Sequence, residues 1–250
     1  MDLETYRQTA VEVERWRDLL RLLPKGQHSI LEVGARDGFH SRILSEYYAS
    51  VTALDLERPA LSAERVISIE GDVTDLQFPA NHFDCVLCAE VLEHVRAVEQ
   101  AVAEIIRVAK KDVVIGVPYR EDTRVGKLTC SSCGKVNPHY GHVNVFDEAS
   151  LRSLFHRLEI VEVSFVGQSK ERTNHLSSFL MTAAGNPFGT YDQTEPCVFC
   201  GRHMLGPASR LTHQRVASRL ASYLDSVQRV LTRPSPHWIH IRFRKHDGAC

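Results

Sequence analysis

Two turns of the form CxxCG, Cys130 to Gly134 and Cys197 to Gly201, place four thiols in stretches otherwise rich in glycine, proline and polar residues. Thiolates are soft metal ligands, and two such turns supply the four sulfurs of a closed, tetrahedral structural zinc site. Reduced thiols without a ligand remain open as a reading, as does a mixed site that recruits His139, His142 or His203. A third pair at the same spacing, Cys85 and Cys88, falls inside an apolar run that reads as a strand. Side chains three apart on a strand face opposite ways, so these two are expected in the core. Cys250 is a terminal thiol with no evident role.

A second signal is ILEVGARDG, residues 30 to 38, an apolar strand turning through Gly34 and Gly38 into a helix. Glycines let the backbone approach a ligand closely, and the amides of the helix start favour an anionic group, so a nucleotide is implied. The GxGxxG dinucleotide fingerprint is not met, because the glycines lie four apart. The phosphate loop is excluded by the absence of a Gly-Lys-Ser/Thr ending. Asp55 ends the next strand, where a carboxylate can accept hydrogen bonds from both ribose hydroxyls. Asp72 follows the third strand, a position that suits an adenine amino group.

The elements that must hold these residues alternate. Leu3, Val11, Val13, Leu19, Leu20, Leu22 and Leu23 predict one amphipathic helix that stops before Pro24 and Gly26, giving an N-terminal helical segment over residues 1–26. Strands are expected at 29–34, 50–56, 65–73, 83–92 and 112–118, with helices at 39–48 and 97–110 between them. Near-continuous apolar strands in a β-α-β series argue for a parallel sheet covered on both faces. Residues 119–146 break the rhythm as a loop insertion. Asp147 then caps a helix with Leu151, Leu154, Phe155 and Leu158 on one face, followed by a strand at 159–167. Residues 168–207 read as irregular, 211–231 as a helix and 237–245 as a closing strand.

The 250 residues carry 30 Lys and Arg against 31 Asp and Glu, so the chain as a whole lacks the field of a general nucleic-acid or membrane binder. Arginines concentrate between Arg202 and Lys245, a bias that fits a solvated helix face or an anionic substrate. No apolar run approaches a membrane span and no signal peptide is evident, so a cytoplasmic location and reduced thiols are expected.

Taken in order, ILEVGARDG, VTALDLE, EGDVTDLQFPANHFDCVLCAEVLEHV and IIRVAKKDVVIGVP resemble the class I S-adenosylmethionine-dependent methyltransferases, particularly the group that includes the ubiquinone-biosynthesis O-methyltransferases. The resemblance covers residues 28 to 165, and the last strand extends it to the C-terminus. It implies a Rossmann-like fold with a seven-stranded, mostly parallel sheet and an antiparallel last strand, a methyltransferase domain over residues 27–250. By position, Glu32 would bond near the methionine amino group, and Gly34, Ala35 and Gly38 would line the methionine and ribose. Asp55 would take the ribose hydroxyls, Asp72 the adenine edge with Val73 beside it, and Glu90 the methionine end. Arg36 departs from the pattern, standing where the family usually has its middle glycine.

In that topology both insertions, about 119–146 and 168–210, start and finish at the ligand-binding edge. A zinc on Cys130, Cys133, Cys197 and Cys200 would staple them into a lid. The resemblance further suggests methyl transfer to a small hydroxylated or sugar-containing acceptor, with His142, His139 and His94, in that order, as candidate bases. A monomer or homodimer is expected. The competing readings are an RNA methyltransferase, which would need a basic stripe interleaved with aromatics, and a non-catalytic docking protein on a degenerate fold, which Arg36 favours.

Overall fold

The apolar runs around the glycine turn become adjacent strands of one sheet: β1 (Ser29–Val33), β2 (Ser50–Asp55), β3 (Val66–Glu70), β4 (Phe83–Ala89) and β5 (Ala109–Pro118). With β8 (Glu159–Ser169) and β9 (Ser235–Arg244) the strand order is β3-β2-β1-β4-β5-β9-β8. The pairs β1–β2, β2–β3, β1–β4 and β4–β5 are parallel, and β9 runs antiparallel to β5, with Pro118 opposite Trp238. This is the Rossmann-like, mostly parallel seven-stranded sheet with an antiparallel last strand that the resemblance implies. The structure is a computed structural model and describes residues 3–193, 195–207, 209 and 211–246; Cys250 and the side chain of Leu3 lie outside it. The chain divides into two compact units. Unit 1 comprises Met1–Tyr119, Phe146–Gly167 and Pro236–Cys250, and unit 2 comprises Arg120–Val145 and Gln168–Ser235.

In unit 1 the period-2 rule sorts side chains to two cores. Ile30, Val51, Cys85, Leu87 and Val114 meet Trp16, Leu19 and Leu22 of α2 (Ala10–Leu22) and Leu44 of α3 (Phe39–Leu44). Leu31, Val33, Val86, Cys88, Val113 and Ile115 face the other way, toward α4 (Val98–Val108) and α5 (Glu148–Leu154). Cys85 and Cys88 therefore sit in opposite cores, fully buried. Asp147 caps α5 in a capping box with Ser150, which satisfies amides that the first helical turn leaves open.

The N-terminus departs from expectation. It is not one helix but α1 (Leu3–Arg7) and α2, separated at Thr9, whose side chain caps α2 by accepting from the Glu12 amide at 3.3 Å. Nor do Val11 and Val13 line the buried face; they are 45% and 42% exposed. Glu12 and Arg15 are buried instead, joined by two hydrogen bonds of 2.7 and 2.6 Å. A forked guanidinium–carboxylate pair loses enough of its polar character to enter a core, which a count of apolar positions does not register.

Unit 2 is less regular. A hairpin of β6 (Leu128–Thr129) and β7 (Val136–Asn137) brackets the first CxxCG turn. The stretch read as irregular contains a helix, α6 (His175–Ala183), capped by Asn174, whose side chain accepts from the Ser177 amide at 2.9 Å. It packs against α7 (Thr212–Leu231) through the fully buried Ser177, Ser218 and Ala221. The Thr173 hydroxyl donates to Asp225 at 2.8 Å, and the Asn174 amide to Gln228 at 2.9 Å. No helix among the described residues is long and apolar enough to cross a membrane.

Candidate functional site

The carboxyl ends of β1, β2, β3 and β4 bring most of the expected nucleotide-binding residues together in unit 1. The Gly34 and Ala35 amides both donate to the Leu54 carbonyl, and the Arg36 amide donates to the Asp55 carboxylate at 2.7 Å. Asp55 is further held by the Leu56 amide, and its carbonyl accepts from Gly71, which carries the chain to Asp72. Asp72 accepts from the Thr74 amide and hydroxyl at 2.8 and 2.7 Å, and Val73 is buried beside it.

Two glycines in this turn are constrained by both conformation and space. Gly34 and Gly38 have φ of 82° and 74°, and a Cβ on either would strike Val91 or Leu61 respectively. Arg36 sits between them at φ 50°, in the left-handed region that favours glycine, with an exposed side chain. The departure from the family pattern is thus accommodated without closing the turn.

Beneath the turn, Glu32 is buried and accepts from the Ser41 hydroxyl. Burial pushes its carboxyl up to about 8. Glu90, at φ 57° just past β4, has a buried Oε1 with no hydrogen-bond donor. An orphan carboxylate oxygen at a strand end is costly unless a ligand's cationic group completes it.

The sequence reading missed what α1 and α2 contribute. Arg7 pairs with Asp37 of the glycine turn at 2.9 Å, and Trp16 stacks on His40 with ring centroids 3.8 Å apart. Glu90 acts electrostatically on Arg15 and Tyr6, so the N-terminal segment extends this site. The only sequence signal was the concentration of charge in the first helix. His94, in a 3-10 turn just after Glu90, is exposed and belongs to this unit.

In unit 2 the two CxxCG turns come together as near copies. Cys130 Sγ lies 3.8 Å from Cys200 Sγ, and Cys133 Sγ 3.7 Å from Cys197 Sγ. A disulfide would need about 2.05 Å. A tetrahedral zinc at about 2.3 Å from each sulfur spaces them about 3.8 Å apart. In each turn the glycine amide donates to the carbonyl of the first cysteine: Gly134 to Cys130 at 2.9 Å, and Gly201 to Cys197 at 2.8 Å. Backbone amides also aim at the sulfurs, from Ser132 and Cys133 to Cys130 and from Phe199 and Cys200 to Cys197. Such amides favour thiolates. Asn137, fully buried, ties the turns together by donating to the Lys135 carbonyl and accepting from the Val198 amide. His203 is not among the clustered ligand atoms.

His139 and His142 instead flank one carboxylate, Glu121, which the sequence reading did not single out. Glu121 Oε1 is 2.8 Å from His139 Nε2, and its Oε2 is 2.6 Å from His142 Nδ1. Burial would raise the Glu121 carboxyl, but hydrogen bonds from the two histidines outweigh it and bring it to about 2. His139 Nδ1 also meets the Val125 carbonyl at 2.7 Å. With an oxygen acceptor at each ring nitrogen, His139 is satisfied only when both carry protons; its pKa is raised, the Glu121 bond overcoming burial. An imidazolium cannot accept a proton, whereas His142 meets Glu121 through Nδ1 alone among its ring nitrogens. These three residues are also candidate metal ligands by proximity, but their N···O separations are those of hydrogen bonds.

Residues 31–116 match the family described as "Methyltransferase domain". A sequence comparison with curated proteins finds no match. Among solved structures, a protein from Bacillus halodurans described as a "putative methyltransferase" is similar at TM-score 0.56 and 16% identity, over 92% of this chain and 100% of that one. The N-methyltransferase NodS from Bradyrhizobium japonicum is similar at 0.54 and 16%, over 96% and 99%. The Haloferax volcanii methyltransferase–Trm112 activator complex matches at 0.54 and 12%, over 97% of this chain and 94% of that one. Structures so distant in sequence carry only the fold, and the [4+2]-cyclase SpnF shares it at 0.55 and 16%, over 93% and 81%. The family match lies wholly inside unit 1, on the strands that build the glycine turn, so it is residues 31–116 that are similar to a methyltransferase domain.

Proposed function

We propose that the protein transfers a methyl group to a hydroxyl of a small or sugar-containing acceptor, that unit 1 holds the methyl donor, and that the four cysteines of unit 2 hold a structural zinc. The observation that carries the donor site is the orphan Oε1 of Glu90 beside a glycine turn that a Cβ would block. Both suit a ligand with an ammonium group at one end and a ribose at the other, which Glu90 and Asp55 would take. When bound, the sulfonium supplies an electrophilic methyl group and leaves as a thioether. Asp72 and Val73 would hold the adenine, and Glu32 stiffens the turn from below.

A hydroxyl acceptor must lose its proton as the new O–CH3 bond forms. Of the three candidate histidines, His142 comes first, because Glu121 orients it through Nδ1; His139, held between two acceptors, serves as the cation that balances Glu121. Four thiolates leave zinc no open position, so the metal's part is to order unit 2 and not to activate a nucleophile.

Calorimetric titration of the zinc-assayed protein with S-adenosylmethionine and its demethylated product tests the reading. Micromolar binding of both, lost in Asp55→Ala, is expected. Zinc-loaded protein that binds neither overturns it and leaves the docking-protein alternative. Once an acceptor is in hand, His142→Asn should lower kcat while leaving cofactor affinity unchanged.

A further inference from the structure

The near-zero net charge of the chain conceals a segregation. Unit 2 carries twelve Lys and Arg against six Asp and Glu, while unit 1 carries eighteen against twenty-five. Within unit 2, α7 presents a face that its own unit does not cover. Ser218, Ala221, Asp225 and Gln228 lie on the side that packs against α6. The opposite side carries Val216, Leu220, Tyr223, Val227 and Val230, spaced four, three, four and three residues apart. These five are 61%, 48%, 66%, 45% and 81% exposed, and Leu231 widens the stripe at 79%. A surface helix normally turns such a stripe inward.

We propose that α7 docks unit 2 on an anionic membrane surface, lying in the plane of the lipid headgroups. Its length, about 30 Å at 1.5 Å per residue, gives a continuous apolar ridge. Arg215, Arg219 and Arg229 all fall along one flank of that ridge, and the helix's single acidic residue, Asp225, is engaged by Thr173 on the other side. Apolar side chains can enter the acyl boundary while the long arginine stems keep their guanidinium groups among phosphates. Tyr223, amphipathic and mid-stripe, suits the same boundary.

A second copy fits this face less well. A two-stranded seam is narrow and flanked on both sides by charges of complementary sign. Here one flank is Ala217, Leu224 and Leu231, the other is basic, and pairing would bring together two units of like net charge.

Cosedimentation of the full chain with extruded vesicles tests the proposal, using equal parts of phosphatidylglycerol and phosphatidylcholine against phosphatidylcholine alone. Binding to the anionic vesicles, weakened by salt and absent from the neutral ones, is expected. Leu220→Asp with Val227→Asp should weaken it by more than about tenfold, and Arg215→Gln or Arg219→Gln by about fivefold each. Val230→Asp, at a more exposed position, repeats the apolar test with less risk to folding, and an unchanged circular-dichroism spectrum and thermal unfolding transition verify the fold of every variant. The proposal is overturned if the protein ignores both vesicles, or binds both equally. It is also overturned if single-stranded RNA binds in their place, or if light scattering finds a dimer that Leu220→Asp dissolves.

Discussion

Gly34→Ala is the most demanding perturbation of the nucleotide turn, because two separable costs meet there. The first is conformational: at φ 82° an alanine is in the left-handed region, a strain of about 1–2 kcal/mol. The second is steric. The new Cβ would overlap Val91 Cγ2, while the next neighbours, Val91 Cβ and the Ala89 carbonyl, stand at ordinary distances of 3.8 and 3.9 Å. Overpacking of this kind costs about 1–3 kcal/mol. Alanine returns about 0.4–1 kcal/mol by stiffening the unfolded chain, so a net loss of about 1–4 kcal/mol is expected. Because one methyl carbon makes the whole clash, Val91→Ala should relieve it. Urea unfolding of the two single variants and the double variant measures this. The double should be less destabilised than the sum by about 1–3 kcal/mol. It should also regain part of the cofactor affinity lost in Gly34→Ala, since Val91 adjoins Glu90. Additivity within about 0.5 kcal/mol would refute the steric account and with it the argument that the turn is shaped around a ligand.

Metal analysis offers a second check: purified wild-type protein should carry stoichiometric zinc, lost in Cys130→Ser and Cys197→Ser with faster proteolysis within unit 2, yet retained in Cys88→Ser, whose thiol is buried in unit 1. Glu121 makes a prediction in pH. Its folded pKa, about 2, lies below the ordinary carboxylate value, so its contribution is present above about pH 4.5 and is lost as pH falls toward 2. The shift corresponds to something on the order of 3 kcal/mol. The wild-type minus Glu121→Gln difference in unfolding free energy should therefore shrink over that window, and a difference flat from pH 6 to pH 2 would contradict it.

The glycine turn was legible because its residue types are forced. Residues 34 and 38 take φ of 82° and 74°, which favours glycine, and Asp55 ends β2. Cys85 and Cys88 were placed in opposite cores by strand alternation alone, which has no exceptions within an unbroken strand. What resisted reading was burial of polar groups. The face of α2 was misjudged because Glu12 and Arg15 neutralise each other, and α6 was overlooked because its buried residues include Ser177 and Ser178, with no apolar period to follow. Glu121 gave no local signal at all; its role arises from two histidines 18 and 21 residues away. The overall charge was read as a sum, and a sum cannot reveal that two units carry opposite signs.

The sheet order has a consequence for how the chain comes off the ribosome. β9 inserts between β5 and β8, yet it is the last of the described strands to be made, after unit 2. Until then β5 lacks its antiparallel partner, and Ile239, Ile241 and Phe243, fully buried in the finished sheet, are not available to cover it. At about 5–20 residues per second, the sixty-five residues of α6, α7 and their loops between β8 and β9 hold that edge open for several seconds. Open edges recruit other strands. Nascent chains stalled or truncated before residue 235 should therefore be the aggregating species, while a refolding full-length chain has β9 available to cover β5.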